Sequence, residues 1–244
     1  MNPGSRPLAA YMWQIALALA VIFAAARVVG VLGPKELRWI LPLGFTLMAL
    51  TPYALLDAAG RRDAGLQWSG SARWHGVAIL AGGAAGLACF ALGYAFFGVG
   101  PDNWFVTIAN SYRRMMDTTG WPTARLLLVF TPPALIFSPI GEEIFFRGYL
   151  QYSLERRFST RASTITECAA FGIVHLCHHG LFLSATGITL RPLSGAIWVL
   201  LMSGAAGLFA YLRKSSGSLL PAIVAHAAFN LVMNMTIFGF LWTP

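Results

Sequence analysis

Seven side chains able to do acid–base or hydrogen-bonding chemistry stand inside otherwise apolar stretches of this chain. Residues 138–148 read SPIGEEIFFRG and hold Glu142, Glu143 and Arg147. ECAAFGIVH (167–175) holds Glu167 and His175, and HAAFN (226–230) holds His226 and Asn230. An ionisable residue at the centre of a membrane helix costs about 2.5–3.5 kcal/mol on insertion scales, so such residues mark function by default.

Spacing adds geometry. Glu143 and Arg147 are four apart and pair along one helix face, which makes a self-neutralising structural unit. Glu142 points about 100° away from Glu143 around a helix and has no local partner. A carboxylate left in that state suits a general base. Phe171 and His175 share a face, as do His226 and Asn230, and an imidazole beside an amide suits stabilisation of an oxyanion. The depths of the three segments agree. Glu142 precedes Arg156 by 14 residues, His175 follows Arg161 by 14, and His226 follows Lys214 by 12. At a rise of ~1.5 Å per residue, all three lie roughly 18–21 Å from those basic residues, in one layer. A carboxylate with two imidazoles is also a set that zinc binds, Glu142, His175 and His226. The metal-free arrangement is favoured, because the Asn230 amide fits oxyanion bonding better than zinc ligation. Cys177, His178 and His179 follow His175 but lack HExxH or paired-cysteine spacing. Glu167, about two turns from His175, is expected to line an entrance or pair with an arginine.

The elements that position these residues are membrane spans. The chain has 244 residues, 57% hydrophobic and 11% charged, with mean hydropathy +0.65. A soluble domain carries about 25% charged residues. The net charge of +8 is not a nucleic-acid signature, because the basic residues sit in short loops between apolar runs, where they set topology and meet anionic lipid. Cys89, Cys168 and Cys177 have no paired spacing, so no disulfide framework is expected.

Seven spans are expected, at 11–32, 39–56, 74–99, 125–149, 162–181, 194–212 and 219–241, with seven to eight the range for the bundle. The first run is long enough to be a retained helix rather than a cleaved signal. The fourth is expected to be broken at Thr131-Pro132-Pro133 and Pro139. Residues 101–122 are expected to form an interfacial helix or an external loop. Arg6, Arg61, Arg62, Arg73, Arg156, Arg157, Arg161, Arg213 and Lys214 fall on one side of seven spans. Lys35, Arg38, Arg113, Arg114, Arg125 and Arg191 fall on the other. The larger set predicts a cytoplasmic N-terminus. The fold class is therefore an all-α polytopic bundle with the site inside it, and residues 1–244 form a single integral membrane domain.

The three motifs carry a family resemblance. EEIFFR (142–147) is similar to the EExxxR of the CPBP intramembrane endopeptidases, which include CAAX prenyl proteases and bacterial Abi proteins. FGIVH (171–175) resembles that family's FxxxH and HAAFN (226–230) its HxxxN/D, in the same order. The likeness covers about 126–241 as a catalytic core and leaves 1–125 as N-terminal spans of unassigned role. It implies that Glu142 and His175 activate a water, that His226 and Asn230 hold the oxyanion, and that Glu143, Arg147 and Phe171 shape the site. The family has been described both as metalloproteases and as glutamate-type proteases, so zinc remains the alternative to no cofactor. The implied partners are the bilayer and a membrane-associated peptide or protein substrate, lipidated or not. The implied location is a bacterial inner membrane. Two other functions use the same polar layer: a transporter or proton pathway, and a catalytically silent member that binds a partner. Neither an internal repeat nor a lost motif residue favours them.

Overall fold

The computed structural model describes residues 11–67, 71–184 and 187–242. The chain is mostly helical. Helix α1 spans Met12–Leu32, α2 Ile40–Leu55, α3 Ala58–Asp63, α4 Ala72–Phe97 and α5 Trp104–Met115. Helix α6 spans Thr123–Glu142 and runs without interruption through a π-helical stretch, Glu143–Leu150, into α7, Gln151–Glu155. Then come α8, Thr160–Val174, strands β1, Leu181–Ser184, and β2, Gly187–Leu190, and α9, Pro192–Ser216. The last helix, α10, spans Leu220–Thr236 and ends in a π turn, Ile237–Leu241.

Among the described residues, five helices are long and apolar enough to cross a membrane: Met12–Leu32, Ala72–Phe97, Thr123–Glu155, Pro192–Ser216 and Leu220–Leu241. The protein is thus a multi-pass integral membrane protein, with fewer such spans than the seven to eight expected. The other two expected spans are helices of 16 and 15 residues, α2 and α8. At ~1.5 Å per residue these reach about 24 Å, short of a ~30 Å hydrocarbon core. Helix α8 stops early because His175–Cys177 tighten into a 3₁₀ turn and Gly180 takes φ +108°. There the chain turns into the β1–β2 hairpin, with Leu181 paired to Leu190 antiparallel. That hairpin corrects the all-α expectation to mostly helical.

The outer surface is apolar, as a lipid solvent requires. Leu80, Leu128, Leu200 and Phe240 are each more than 70% exposed. Helix contact inside the bundle depends on absent side chains. Gly82 lies so close to Ala225 of α10 that a methyl group there would collide with the Ala225 carbonyl, and one at Gly141 would lie 2.5 Å from the Phe45 carbonyl of α2. Small residues let backbones approach in this way where lipid supplies no hydrophobic drive.

The expected break in the fourth span does not occur. Pro132, Pro133 and Pro139 all lie within α6. Around the proline pair, α10 supplies donors: Asn230 Nδ2 to the Ala134 carbonyl at 2.9 Å, and Asn234 Nδ2 to Thr131 Oγ1 at 3.3 Å. These bonds tie α6 to α10, but their acceptors are not the carbonyls that the prolines free, those of Leu128, Val129 and Leu135. Within residues 101–122, Trp104–Met115 form a helix, α5, rather than a loop throughout. Asn103 caps α5 by accepting from the Phe105 amide at 2.9 Å, and Trp104, Phe105 and Ile108 face the core.

Arg27 and Arg147 are buried inside the bundle, while other basic residues gather at two ends. At one, Lys214 pairs with Glu155 at 2.9 Å and Arg213 donates to the Asp63 carbonyl at 2.9 Å. At the other, Arg191 pairs with Asp102 at 2.7 Å and Arg113 lies over Trp242 at 4.2 Å. Arg6, counted with the first set, lies outside the described residues. Cys89, Cys168 and Cys177 are free thiols.

Candidate functional site

A cavity of about 650 Å³ opens between α1, α2, α5, α6, α9 and α10, and His175, His226, Asn230, Phe171 and Ser138 all line it. Most of its remaining wall is apolar, with Phe45, Phe130, Phe137, Met202, Phe209 and Met233 among the lining residues. The structure thus brings residues of FxxxH and HxxxN to one wall, as the shared depth predicts.

Glu142 is placed differently. It is fully buried and stands behind the wall. Its Oε1 accepts from Arg27 Nη1 and, at 3.2 Å, from Ser138 Oγ, and both of those residues line the cavity. Its Oε2 has no protein hydrogen-bond partner among the described residues. The expectation that Glu142 has no local partner therefore fails at Ser138, four residues earlier on the same helix. The charged partner comes from α1, beyond the reach of an i,i+4 count.

Glu143 takes the other direction around the helix. Its Oε1 accepts from Arg147 Nη1 at 3.0 Å, so the expected pair forms. The same oxygen lies 2.8 Å from His226 Nδ1. Arg147 Nε lies 3.3 Å from Glu167 Oε1, and all three of Glu143, Arg147 and Glu167 are fully buried. Of the two roles expected for Glu167, pairing with an arginine is the one found. Arg147 also lies over the Phe171 ring, 4.1 Å from its centroid, which ties the EExxxR and FxxxH segments together.

Hydrogen-bond roles fix the ring protons. His175 Nδ1 lies 2.7 Å from the Phe171 carbonyl, an acceptor only. The neutral ring must donate there, and Nε2 keeps its lone pair. Trp198 Nε1 donates to the His175 carbonyl at 3.1 Å, anchoring the turn that ends α8. His226 donates through Nδ1 to the Glu143 carboxylate and stacks on Phe209, with ring centroids 5.1 Å apart. Asn230 uses one amide hydrogen on the Ala134 carbonyl, so the other hydrogen and Oδ1 stay open.

Three residues of this centre escape motif reading: Arg27, Ser138 and His178. Arg27 is 7% exposed. Its signal is present, since it is the one charged residue in the α1 sequence, yet α1 carries none of the three motifs. Among the described residues, no group of three or more His, Cys, Asp or Glu side chains is gathered as a metal ion would need. Glu142, His175 and His226 instead each hold a protein partner, respectively Arg27, the Phe171 carbonyl and Glu143.

Residues 124–232, a little under half of the chain, match the model of a family described as type II CAAX prenyl endopeptidase Rce1-like. No curated protein and no solved structure matches the chain.

Proposed function

We propose, from the match of residues 124–232 to the type II CAAX prenyl endopeptidase Rce1-like family, that the protein is an intramembrane endopeptidase of the CPBP type. The observation that carries the reading is the cavity itself. It is apolar over most of its wall, and its polar groups converge at Arg27, Ser138, His175, His226 and Asn230 with Glu142 directly behind.

The chemistry follows from which acceptors lack a protein partner. A water that donates one hydrogen to His175 Nε2 must enter beneath the cavity wall to donate the other to Glu142 Oε2, which is buried without a protein partner, and there it is oriented by two acceptors. Glu142 removes a proton as the water oxygen attacks a peptide carbonyl, and the C–N bond breaks when the amine takes that proton back from Glu142. The second Asn230 N–H donates to the oxyanion. His226 with its proton on Nδ1 presents a lone pair at Nε2, so it donates to the oxyanion only as an imidazolium. The buried Glu143 carboxylate stabilises that form, as the acid of a hydrolytic triad does for its histidine. The apolar wall suits a substrate with a lipid or apolar side chain near the cut bond.

The transporter alternative gains nothing from this arrangement. The buried line His226–Glu143–Arg147–Glu167 has a fixed guanidinium at its middle, which repels a passing proton or cation. The larger basic end favours a cytoplasmic N-terminus, and a bacterial inner membrane rests on the family resemblance alone.

The test uses the full chain in liposomes with an internally quenched, farnesylated peptide ending in a CAAX sequence. Cleavage that Glu142→Gln and His175→Ala each abolish supports the reading, and an unfarnesylated copy of the peptide shows whether the lipid matters. Proton flux across the liposome with no cleavage would overturn it. A chelator is expected to leave cleavage intact. Activity that disappears with bound metal and returns with zinc would replace the metal-free reading.

A further inference from the structure

One side chain that reaches the centre of the site lies outside the family segment. Arg27, on α1, lies almost 100 residues ahead of residue 124. It lines the cavity, and its guanidinium sits 5.5 Å from the Phe45 ring centroid. It makes two bonds to two different segments. Nη1 donates to Glu142 Oε1, and Nε donates to His178 Nε2 at 3.1 Å. The His178 ring is 5.7 Å from the His175 ring.

A guanidinium has five donors, no acceptor, and does not deprotonate in proteins. Two consequences follow. His178 Nε2 must accept, so neutral His178 carries its proton on Nδ1. Glu142 Oε1 is taken up by Arg27 and Ser138, which leaves Oε2 as the oxygen free to act on a water.

We propose that Arg27 is a positioning residue of the hydrolytic site: its planar fork fixes which oxygen of Glu142 is presented and which tautomer His178 holds beside His175, so that the site is incomplete without α1. This rests on the endopeptidase reading for its consequence in rate, but not for its geometry. The bland alternative is a guanidinium that merely neutralises Glu142. Lysine separates the two, because an ammonium keeps the charge but cannot span two acceptors in a fixed plane.

Two measurements test it. In the first, Arg27→Lys and Arg27→Gln are assayed in the full chain on the farnesylated CAAX peptide, with melting followed alongside. For Arg27→Lys a fall in kcat of at least about tenfold is expected, with KM changed by less than about twofold, because orientation of the base matters in the transition state and not in binding. Added methylguanidinium is expected to restore part of the Arg27→Gln rate, while tetramethylammonium at the same concentration does not. If Arg27→Lys keeps kcat within about twofold of wild type, charge alone suffices and the proposal falls.

The second measurement needs no substrate and no change at Arg27. Imidazole ¹⁵N shifts of the wild-type chain, with His178 assigned by its loss in His178→Gln, are expected to show His178 neutral with its proton on Nδ1. A proton on Nε2 would overturn the proposal even in a fully active enzyme. Failure of the wild type to cut the peptide would count against the endopeptidase reading alone, and the tautomer would still decide the role of Arg27.

Discussion

His226 Nδ1 stands 2.8 Å from Glu143 Oε1, and the same oxygen accepts from Arg147 at 3.0 Å. One carboxylate oxygen thus orients the imidazole of α10 and anchors the arginine of its own helix. A spacing rule sees only the second bond.

Glu143→Gln tests the first bond. The amide oxygen still accepts, and Arg147 keeps Glu167, so folding should persist. The imidazolium of His226 loses its countercharge. Cleavage should fall by about 10²–10⁴-fold, the range for a disturbed acid–base group, seen in kcat. An unchanged kcat would remove Glu143 from any part in the chemistry.

For Glu142→Gln, the loss of cleavage should again be about 10²–10⁴-fold, but the variant should also melt lower. Arg27 and Glu142 are both almost completely buried, and breaking a buried pair costs roughly 3–5 kcal/mol. The double variant Glu142→Gln/Arg27→Gln should regain melting temperature without regaining activity. A double variant no more stable than Glu142→Gln would show that the pair contributes nothing to the fold.

Arg147→Ala should be among the most destabilising single changes, again by about 3–5 kcal/mol, because it strands two buried carboxylates, Glu143 and Glu167. Neutralising Glu143 alone alongside an Arg147→Met change should recover only part of the loss. Adding Glu167→Gln should recover more. Calorimetry of the double and triple variants checks this, and equal melting of the two would break the link between Arg147 and Glu167.

His179 predicts an acid limb in stability. It lies in the turn between α8 and β1, outside the membrane spans, with Thr107 Oγ1 and Ser194 Oγ each 2.9 Å from a ring nitrogen. Burial pushes its pKa down from 6.5 to about 4, Arg191 adds to the depression, and Asp102 opposes it. The unfolded chain therefore binds this proton at a higher pH than the folded one. The stabilisation is full above about pH 6.5 and is lost as pH falls toward 4. His179→Asn keeps hydrogen-bonding groups and should flatten melting temperature across that window. A wild-type profile already flat from pH 6.5 to 4 would refute the assignment.

Much of the site was legible in the sequence because motif spacing and helical rise are local properties. EExxxR and HxxxN each put two polar groups on one helix face, FxxxH puts a phenyl ring and an imidazole on one face, and similar distances from basic ends put His175 and His226 against one cavity. Glu143–Arg147 formed as their four-residue spacing requires. Tertiary structure decided what no local rule reaches. Arg27 meets Glu142 across 115 residues of chain, so only packing of α1 against α6 could reveal that Glu142 has a countercharge and lies behind the cavity wall. Asn230 and Asn234 bridge to α6, and the proline-rich span stays whole where composition predicts a break. Gly180 at positive φ and the β1–β2 pairing end α8 early, because hairpin hydrogen bonds satisfy backbone that an apolar run suggests is helical. Charge scarcity and period are written along one segment, whereas the partner of a buried charge is settled by which helices touch.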